Sequence, residues 1–535
     1  MKKWIIMPMC ILLSMTLILA GCSKGENEAG GSSTTPSATQ GSGTENKEIE
    51  PKPGGLPLSK ELAELKIATV DNYYSPKSYT QNLPVWQEIT KRTNVKVAWN
   101  VFPAAQTQTV LDTMFAAGSN LPDIAFPVND QYKLYKAGLI HDLKPFIEQF
   151  APNIKKYFKE MPVVEALITE PTGEILQLPQ VAMTGDYLPT YLIREDWLTK
   201  VGKTYPKTIV ELIDVLKTFR DEDPNGNGVK DEIPMALAPG FINLLASSFD
   251  VHPNYSFYPN AQGKIEYVPI TDKYKVFLDF LNMLYREKLL DPSFASQTND
   301  KFVSMINGDL AGVTVHYIAN MRNWGIDKWS GFVYPKGPEG TQYVERIPPI
   351  SGSAVITKQS KNPQLAMKFL DYIMASEDGK LLANYGLEGV TYKLENNKPV
   401  ILDSVLKPSS DNPDPFRAIG SGWNLPRIQL KETVDAAVPE KVKKLNDEMN
   451  KYLVDSYPAT EIPVTEEERE LFNKGWSDMQ TYQSEMMIKF IMGKADLKKD
   501  WDDYVKKLKD LGIEKKVQIE QTKYERFNDI IQKNK

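Results

Sequence analysis

Between Leu65 and Phe126 the hydrophobic pattern switches repeatedly between a strand period and a helix period, and this restricts the fold more than any other feature. Leu65, Ile67 and Thr69 alternate with Lys66, Ala68 and Val70, as in a strand. Pro84 then opens a helix carrying Val85, Trp86 and Ile89, and Val95, Val97 and Trp99 form a second strand. Thr109 to Ala117 reads as a helix with Val110, Met114 and Ala117 on its inner stripe. It is stopped by Gly118-Ser119-Asn120-Leu121-Pro122 before a strand at Asp123-Ile124-Ala125-Phe126. Strands alternating with helices predict an α/β fold. At 535 residues the chain exceeds one ordinary core, so two or three domains or lobes are expected.

Ahead of this region, Lys2 and Lys3 precede an uncharged, mostly apolar run from Ile5 to Ala20, the pattern of a secretory signal. The run is shorter than the roughly 20 residues of a spanning helix. It ends in Leu19-Ala20-Gly21-Cys22, which resembles the bacterial lipobox. That resemblance implies cleavage after residue 21 and a diacylated, palmitate-type Cys22 as the first mature residue, holding the protein on the outer face of the cell membrane. Residues 22–56 are rich in Gly, Ser, Thr, Pro, Glu and Lys and poor in large apolar side chains, which predicts a disordered tether. Both cysteines, Cys10 and Cys22, fall in this leader, so no thiol remains beyond it for a disulfide or a nucleophile. With 69 acidic against 63 basic residues and no basic block, the composition argues against a nucleic-acid partner.

The helix followed by Leu121-Pro122-Asp123-Ile124 resembles the N-terminal lobe of extracellular solute-binding proteins. Thr172-Gly173-Glu174 with Leu178-Pro179 is similar to that family's crossing segment, and Leu192-Ile193-Arg194-Glu195-Asp196-Trp197-Leu198 to its IRxDWL element. A helix follows, with a capping box at Thr208 and Glu211 and with Ile209, Leu212, Ile213, Leu216 and Phe219 on one face. Asn362-Pro363 starts another, with Leu365, Ala366, Phe369, Leu370 and Ile373 inward. It runs into Tyr385-Gly386-Leu387-Glu388-Gly389-Val390-Thr391-Tyr392, which resembles the NYGxEGxxY element of the LplA-type oligosaccharide-binding lipoproteins, solute-binding family 1. The resemblance implies a two-lobed, periplasmic-binding-protein-like type II α/β fold with a hinge, an interlobe ligand cleft and a helical C-terminal third. The expected division is a signal peptide at 1–21, the tether at 22–56, an N-lobe at 57–186 plus 348–400, and a C-lobe at 187–347 plus 401–535.

The segment Asp221-Glu222-Asp223-Pro224-Asn225-Gly226-Asn227-Gly228-Val229-Lys230-Asp231-Glu232 places oxygen-bearing side chains at alternating positions around two glycines, as an EF-hand-like loop does around calcium. Registers starting at Asp221 and at Asp223 both fit the spacing. The family resemblance favours the second. It implies side-chain ligands from Asp223, Asn225, Asn227, Asp231 and Glu232, the carbonyl of Val229, and a structural ion.

A sugar site needs aromatic faces for pyranose rings and polar groups for hydroxyls in a concave surface. The candidates are Tyr187, Arg194, His316, Tyr317, Trp324, Glu388, Tyr392 and Trp423, the last flanked by glycines in Gly420-Ser421-Gly422-Trp423. The three histidines, His141, His252 and His316, are scattered, which supports neither a zinc cluster nor a Ser-His-Asp triad. The reading is a monomeric, non-enzymatic lipoprotein that captures a sugar or oligosaccharide and passes it to the permease subunits of an ABC importer. A secreted polysaccharide-degrading enzyme and a sugar sensor for a membrane kinase are the competing classes.

Overall fold

The computed structural model describes residues 55–533 except 73–76, 183–187, 253–255, 347–349, 408–411, 456 and 460. The proposed lipid site at Cys22, the signal peptide and all but the last residues of the tether lie outside the described residues, as does Tyr187. Nine strands build two principal sheets: β1 (Ala63–Val70), β2 (Val95–Phe102), β3 (Ile124–Phe126), β4 (Leu178–Val181), β5 (Pro189–Arg194), β6 (Ile233–Met235), β7 (Ala311–Tyr317), β8 (Trp329–Phe332) and β9 (Ile350–Ile356). The helices include α1 (Pro84–Thr93), α2 (Ala104–Ala117), α3 (Pro162–Ile168), α4 (Ile209–Asp221), α5 (Pro363–Ala375), α6 (Glu466–Asn473) and α7 (Ile513–Lys533).

The first sheet runs β2-β1-β3-β9-β4, with β1 parallel to β2 and β3 and with β9 antiparallel to β3 and β4. Side chains alternate between its faces. Ile67, Ile124 and Ile356 point into the first core, whereas Ala68, Ala125 and Val355 join Leu111 and Phe115 in a smaller cluster on the other face. The second sheet runs β8-β5-β7-β6, with β6 and β7 parallel and the other pairs antiparallel. Its core also takes Met479, Phe490, Trp501, Tyr504, Leu508 and Phe527 from the helical C-terminal third.

The inner stripe of α2 differs from the sequence expectation. The helix starts at Ala104, directly after Pro103, and buries Thr107, Leu111 and Phe115, while Ala117 is exposed. These three are spaced four apart, so they stack on one face against the sheet. By contrast, α5 buries all five expected residues, and the side chain of Asn362 caps it by accepting from Leu365 N at 3.0 Å.

One helix contributes to both cores. Helix α3 gives Val164 and Ile168 to the first core but Ala166 and Leu167 to the second. The chain leaves the first sheet after Val181, which bridges Ile428 through Val181 N to Arg427 O and Gln429 N to Val181 O, both 2.8 Å. The stretch from Ile401 to Ile428 departs from its expected place in the C-lobe. Trp423, Leu425 and Ile428 fill the first core, and Ile401 and Val405 pack beside it with Tyr385 and Tyr392. The physical cause is the open flank of α1, which Trp423 covers. Among the described residues no helix is long and apolar enough to cross a membrane.

Candidate functional site

Helix α4 ends at Asp221, and the following loop folds around one carboxylate. Asp223 Oδ1 accepts from Gly226 N at 2.8 Å and Asn227 N at 3.1 Å, and its Oδ2 accepts from Gly228 N at 2.9 Å. Burial opposes ionisation of Asp223, but the three backbone donors hold its carboxyl below the usual range. The amide groups of Asn225 and Asn227 donate to Asp231 Oδ1 at 3.3 and 3.0 Å, and Asn227 Oδ1 accepts from Val229 N at 2.7 Å. Gly226 has φ 78°, a left-handed turn, and a Cβ there would lie 2.6 Å from Lys200 Nζ. Lys200 needs that space because its ammonium donates to the carbonyls of Asp223 and Pro224 at 2.9 and 3.1 Å.

Asp223, Asn225, Asn227, Asp231 and Glu232 are thus linked in one knot, with Val229 on its rim. Asp221 stands apart, turned back onto Arg220 at 2.7 Å. Glu232 Oε2 is buried with no partner. Burial raises the Glu232 carboxyl above its ordinary range, Asn225 N–H works against this, and Asp223 and Asp231 push it further up. An orphaned carboxylate oxygen among repelling acids is a donor set that suits a hard cation. The loop leads directly into β6, and Asn225 also reaches Asp309 O at 3.4 Å.

Asp309 leads to Arg194. This guanidinium, with its side chain 4% exposed, grips Asp196 at 2.8 and 2.6 Å and Asp309 at 2.7 Å, and lies over the Trp197 ring at 4.9 Å. All its partners surround one end of the second sheet, so Arg194 neither ties the lobes nor presents to a ligand.

The opposite end of that sheet carries an aromatic cluster. His316 and Tyr317 close β7, and the imidazole stacks on Phe241 with centroids 4.4 Å apart. Phe302 lies parallel to it at 5.9 Å, and Trp324 meets it edge-on at 5.2 Å. His316 Nδ1 accepts from Tyr317 N at 2.9 Å and faces the Asn320 amide, and burial pushes the imidazole down to about 4, so it is neutral at physiological pH. Sequence reasoning missed Phe241. Its signal was position, since it follows β6 just past the carboxyl end of a strand parallel to β7, where open α/β sheets place ligands.

The carboxyl end of β1 holds a polar set that sequence reasoning also missed. Asn72 Nδ2 donates to Lys77 O and Arg417 O at 2.9 and 2.7 Å. Asn424 Nδ2 donates to Asp71 O at 3.0 Å and its Oδ1 accepts from Arg417 Nη1 at 3.2 Å.

Three other candidates sit elsewhere. Trp423 is fully buried, its indole N–H donating to Pro426 O at 3.3 Å and its ring 5.3 Å from Trp86. Gly420, with φ 95°, gives the backbone room beside Trp86, where a Cβ would come within 2.8 Å, so the glycine serves core packing and not reach toward a ligand. Tyr392 is buried against Tyr385 at 5.8 Å, and Glu388 is exposed on the turn before it.

The family model for bacterial extracellular solute-binding proteins matches residues 77–380. The chain is 25% identical over 496 residues to the fructooligosaccharide ABC transporter substrate-binding protein FusA of Streptococcus pneumoniae, covering 88% of this chain and 91% of that one. It is 26% identical over 428 residues to the lipoprotein LipO of Bacillus subtilis, covering 74% of each. Among solved structures, the alginate-binding protein AlgQ2 without calcium ion superposes with a TM-score of 0.65 at 26% identity, over 88% of this chain and 99% of its own. An EF-hand mutant of S. pneumoniae FusA with fructo-nystose gives 0.66 at 23%, over 87% and 99%. The two sheets and their crossings are therefore the type II, two-domain arrangement of solute-binding proteins.

Proposed function

This chain belongs to the bacterial extracellular solute-binding proteins, and from that premise we propose that it captures a sugar or oligosaccharide outside the cell and delivers it to the permease subunits of an ABC importer. The observation that carries this reading is the match to FusA over nearly the full length of both chains, with a solved FusA complex of kestose sharing the fold. Binding and release, not bond cleavage, are the chemistry of such a protein.

The ligand would lie between the carboxyl ends of the two sheets. Phe241, Tyr317 and Trp324 would offer ring surfaces from one side, with His316 holding them in place, and Asp71, Asn72, Arg417 and Asn424 hydrogen-bonding groups from the other. The proposed lobes are residues 57–182 with 350–430, and 188–346 with the C-terminal helices. A sugar touching both would favour their closed arrangement. The loop of Asp223, Asn225, Asn227, Asp231, Glu232 and the Val229 carbonyl would hold a structural calcium, a reading supported by the EF-hand named for FusA. Cys22 would carry the lipid anchor, in keeping with the likeness to LipO. The protein is proposed to act as a monomer.

Calorimetric titration with neutral fructooligosaccharides and with uronic-acid oligosaccharides tests the reading, followed by chromatography of the recovered ligand. Saturable binding with intact ligand supports it. Shortened or unsaturated products would make the protein an enzyme.

A further inference from the structure

A cavity of about 360 Å³ opens where the chain leaves α3 and meets α7. Its floor is apolar, built by Ala166, Ile462, Phe527 and Ile530. Glu170, two residues past α3, lines the same space and is only 8% exposed. The Glu170 backbone is engaged in a turn, with its N–H on Glu174 O and its carbonyl accepting from Gly173 N, both at 2.8 Å. The carboxylate has no hydrogen-bond partner among the described residues, and only burial and more distant charges act on it. A desolvated carboxylate left bare in a cavity is costly unless an occupant supplies a donor.

The charged groups around it narrow the chemistry. Lys144 spends its ammonium on Gly173 O at 2.9 Å, and Arg526 is held in two bonds by Glu468 of α6 at 2.6 and 2.8 Å. Arg469, also on α6, draws the Glu170 carboxyl down and Glu174 pushes it up. Burial outweighs both and lifts it to about 7. Glu165, Asp529 and Lys533 complete the rim. The space, about 360 Å³, far exceeds a bare ion, which would leave the apolar floor unused.

We propose that this cavity binds a small organic ammonium, its charged head on the Glu170 carboxylate and its apolar body against Phe527 and Ile530. None of the residues assigned to sugar lines this cavity, so the proposal stands apart from the sugar reading.

The test is calorimetric titration of the full chain with n-butylammonium chloride, beside tetraethylammonium chloride, which has no N–H to donate. The expected result is saturable one-to-one binding of n-butylammonium alone, weakened about tenfold or more in Glu170→Gln. Near pH 6.5 binding should also release a proton, because the ammonium draws Glu170 into its charged form. The released proton is read as heat that depends on the buffer. Ile530→Trp, which fills the floor without touching the carboxylate, should weaken binding as well. Equal affinity in wild type and Glu170→Gln, or no saturable heat with folded wild type, overturns the proposal.

Discussion

The Phe241 ring lies within 17° of parallel to the His316 imidazole at a centroid distance of 4.4 Å, so one face of the only histidine in this cluster is sealed by hydrocarbon. Water cannot solvate an imidazolium on that face, and the neutral form is favoured.

Stability should therefore depend on pH through His316. Its folded value is pushed down to about 4 from the ordinary 6.5, so between these values the unfolded chain binds more protons than the folded one. Stability is fully present above pH 6.5 and is lost as pH falls toward 4. From pH 7.5 to 5 the His316 contribution should fall by less than about 2 kcal/mol, because solvent partly screens the ring. Urea unfolding of wild type and His316→Phe at both pH values checks this, and parallel losses in the two proteins would refute it.

Phe241→Ala and Trp324→Ala should weaken sugar binding about tenfold, while melting temperature without ligand falls modestly, since both rings are only partly buried. Loss of stability equal to loss of affinity would return both rings to a packing role.

Trp423→Ala should behave in the opposite way. Emptying a fully buried indole site beside Trp86 should cost about 3–5 kcal/mol whether or not sugar is present. Chemical denaturation with and without ligand measures it.

Chelation should lower the melting temperature, because Asp223, Asp231 and the orphaned Glu232 oxygen repel once a cation is withdrawn. At a hundredfold excess of calcium over its Kd the stabilisation is about 2.7 kcal/mol. Asp223→Ala with Asp231→Ala should lower stability in calcium and abolish the response to chelator. Unchanged melting together with no ion in a metal assay would reduce the loop to a turn.

Cys22→Ala should release the protein from membranes or leave it unprocessed, as cell fractionation would show. A variant that is processed and membrane-bound like wild type would remove the lipid anchor from the reading.

The alternation of strands and helices was legible because each strand or helix states its period within a few residues, and all five inward residues read for α5 are buried, although Met367, Tyr372, Met374 and Ala375 are buried with them. For α2 the sequence offers two adjacent apolar stripes, Val110 with Met114 and Leu111 with Phe115, and only packing against the sheet selects the second. The knot of Asp223, Asn225, Asn227 and Asp231 was legible since its oxygens lie close together in sequence. Phe241 was not joined to His316, nor Asn72 to Arg417 and Asn424, because each group is made by segments far apart in sequence that meet only in the fold. Trp423 misled through its glycines, which free backbone for a ligand or for a tryptophan alike.

The late arrival of β9 and Trp423 sets an order on biogenesis. Val355 pairs with Ala125, and Trp423 covers Trp86, so the first sheet cannot close when its opening strands are made. A chain emerging N-terminus first would display β3 as an open edge until most of its length had followed, a period in which stray strand pairing competes with folding. Chains cut short before Trp423 should accordingly be aggregation-prone and protease-sensitive, because no fragment of that length contains a finished first core.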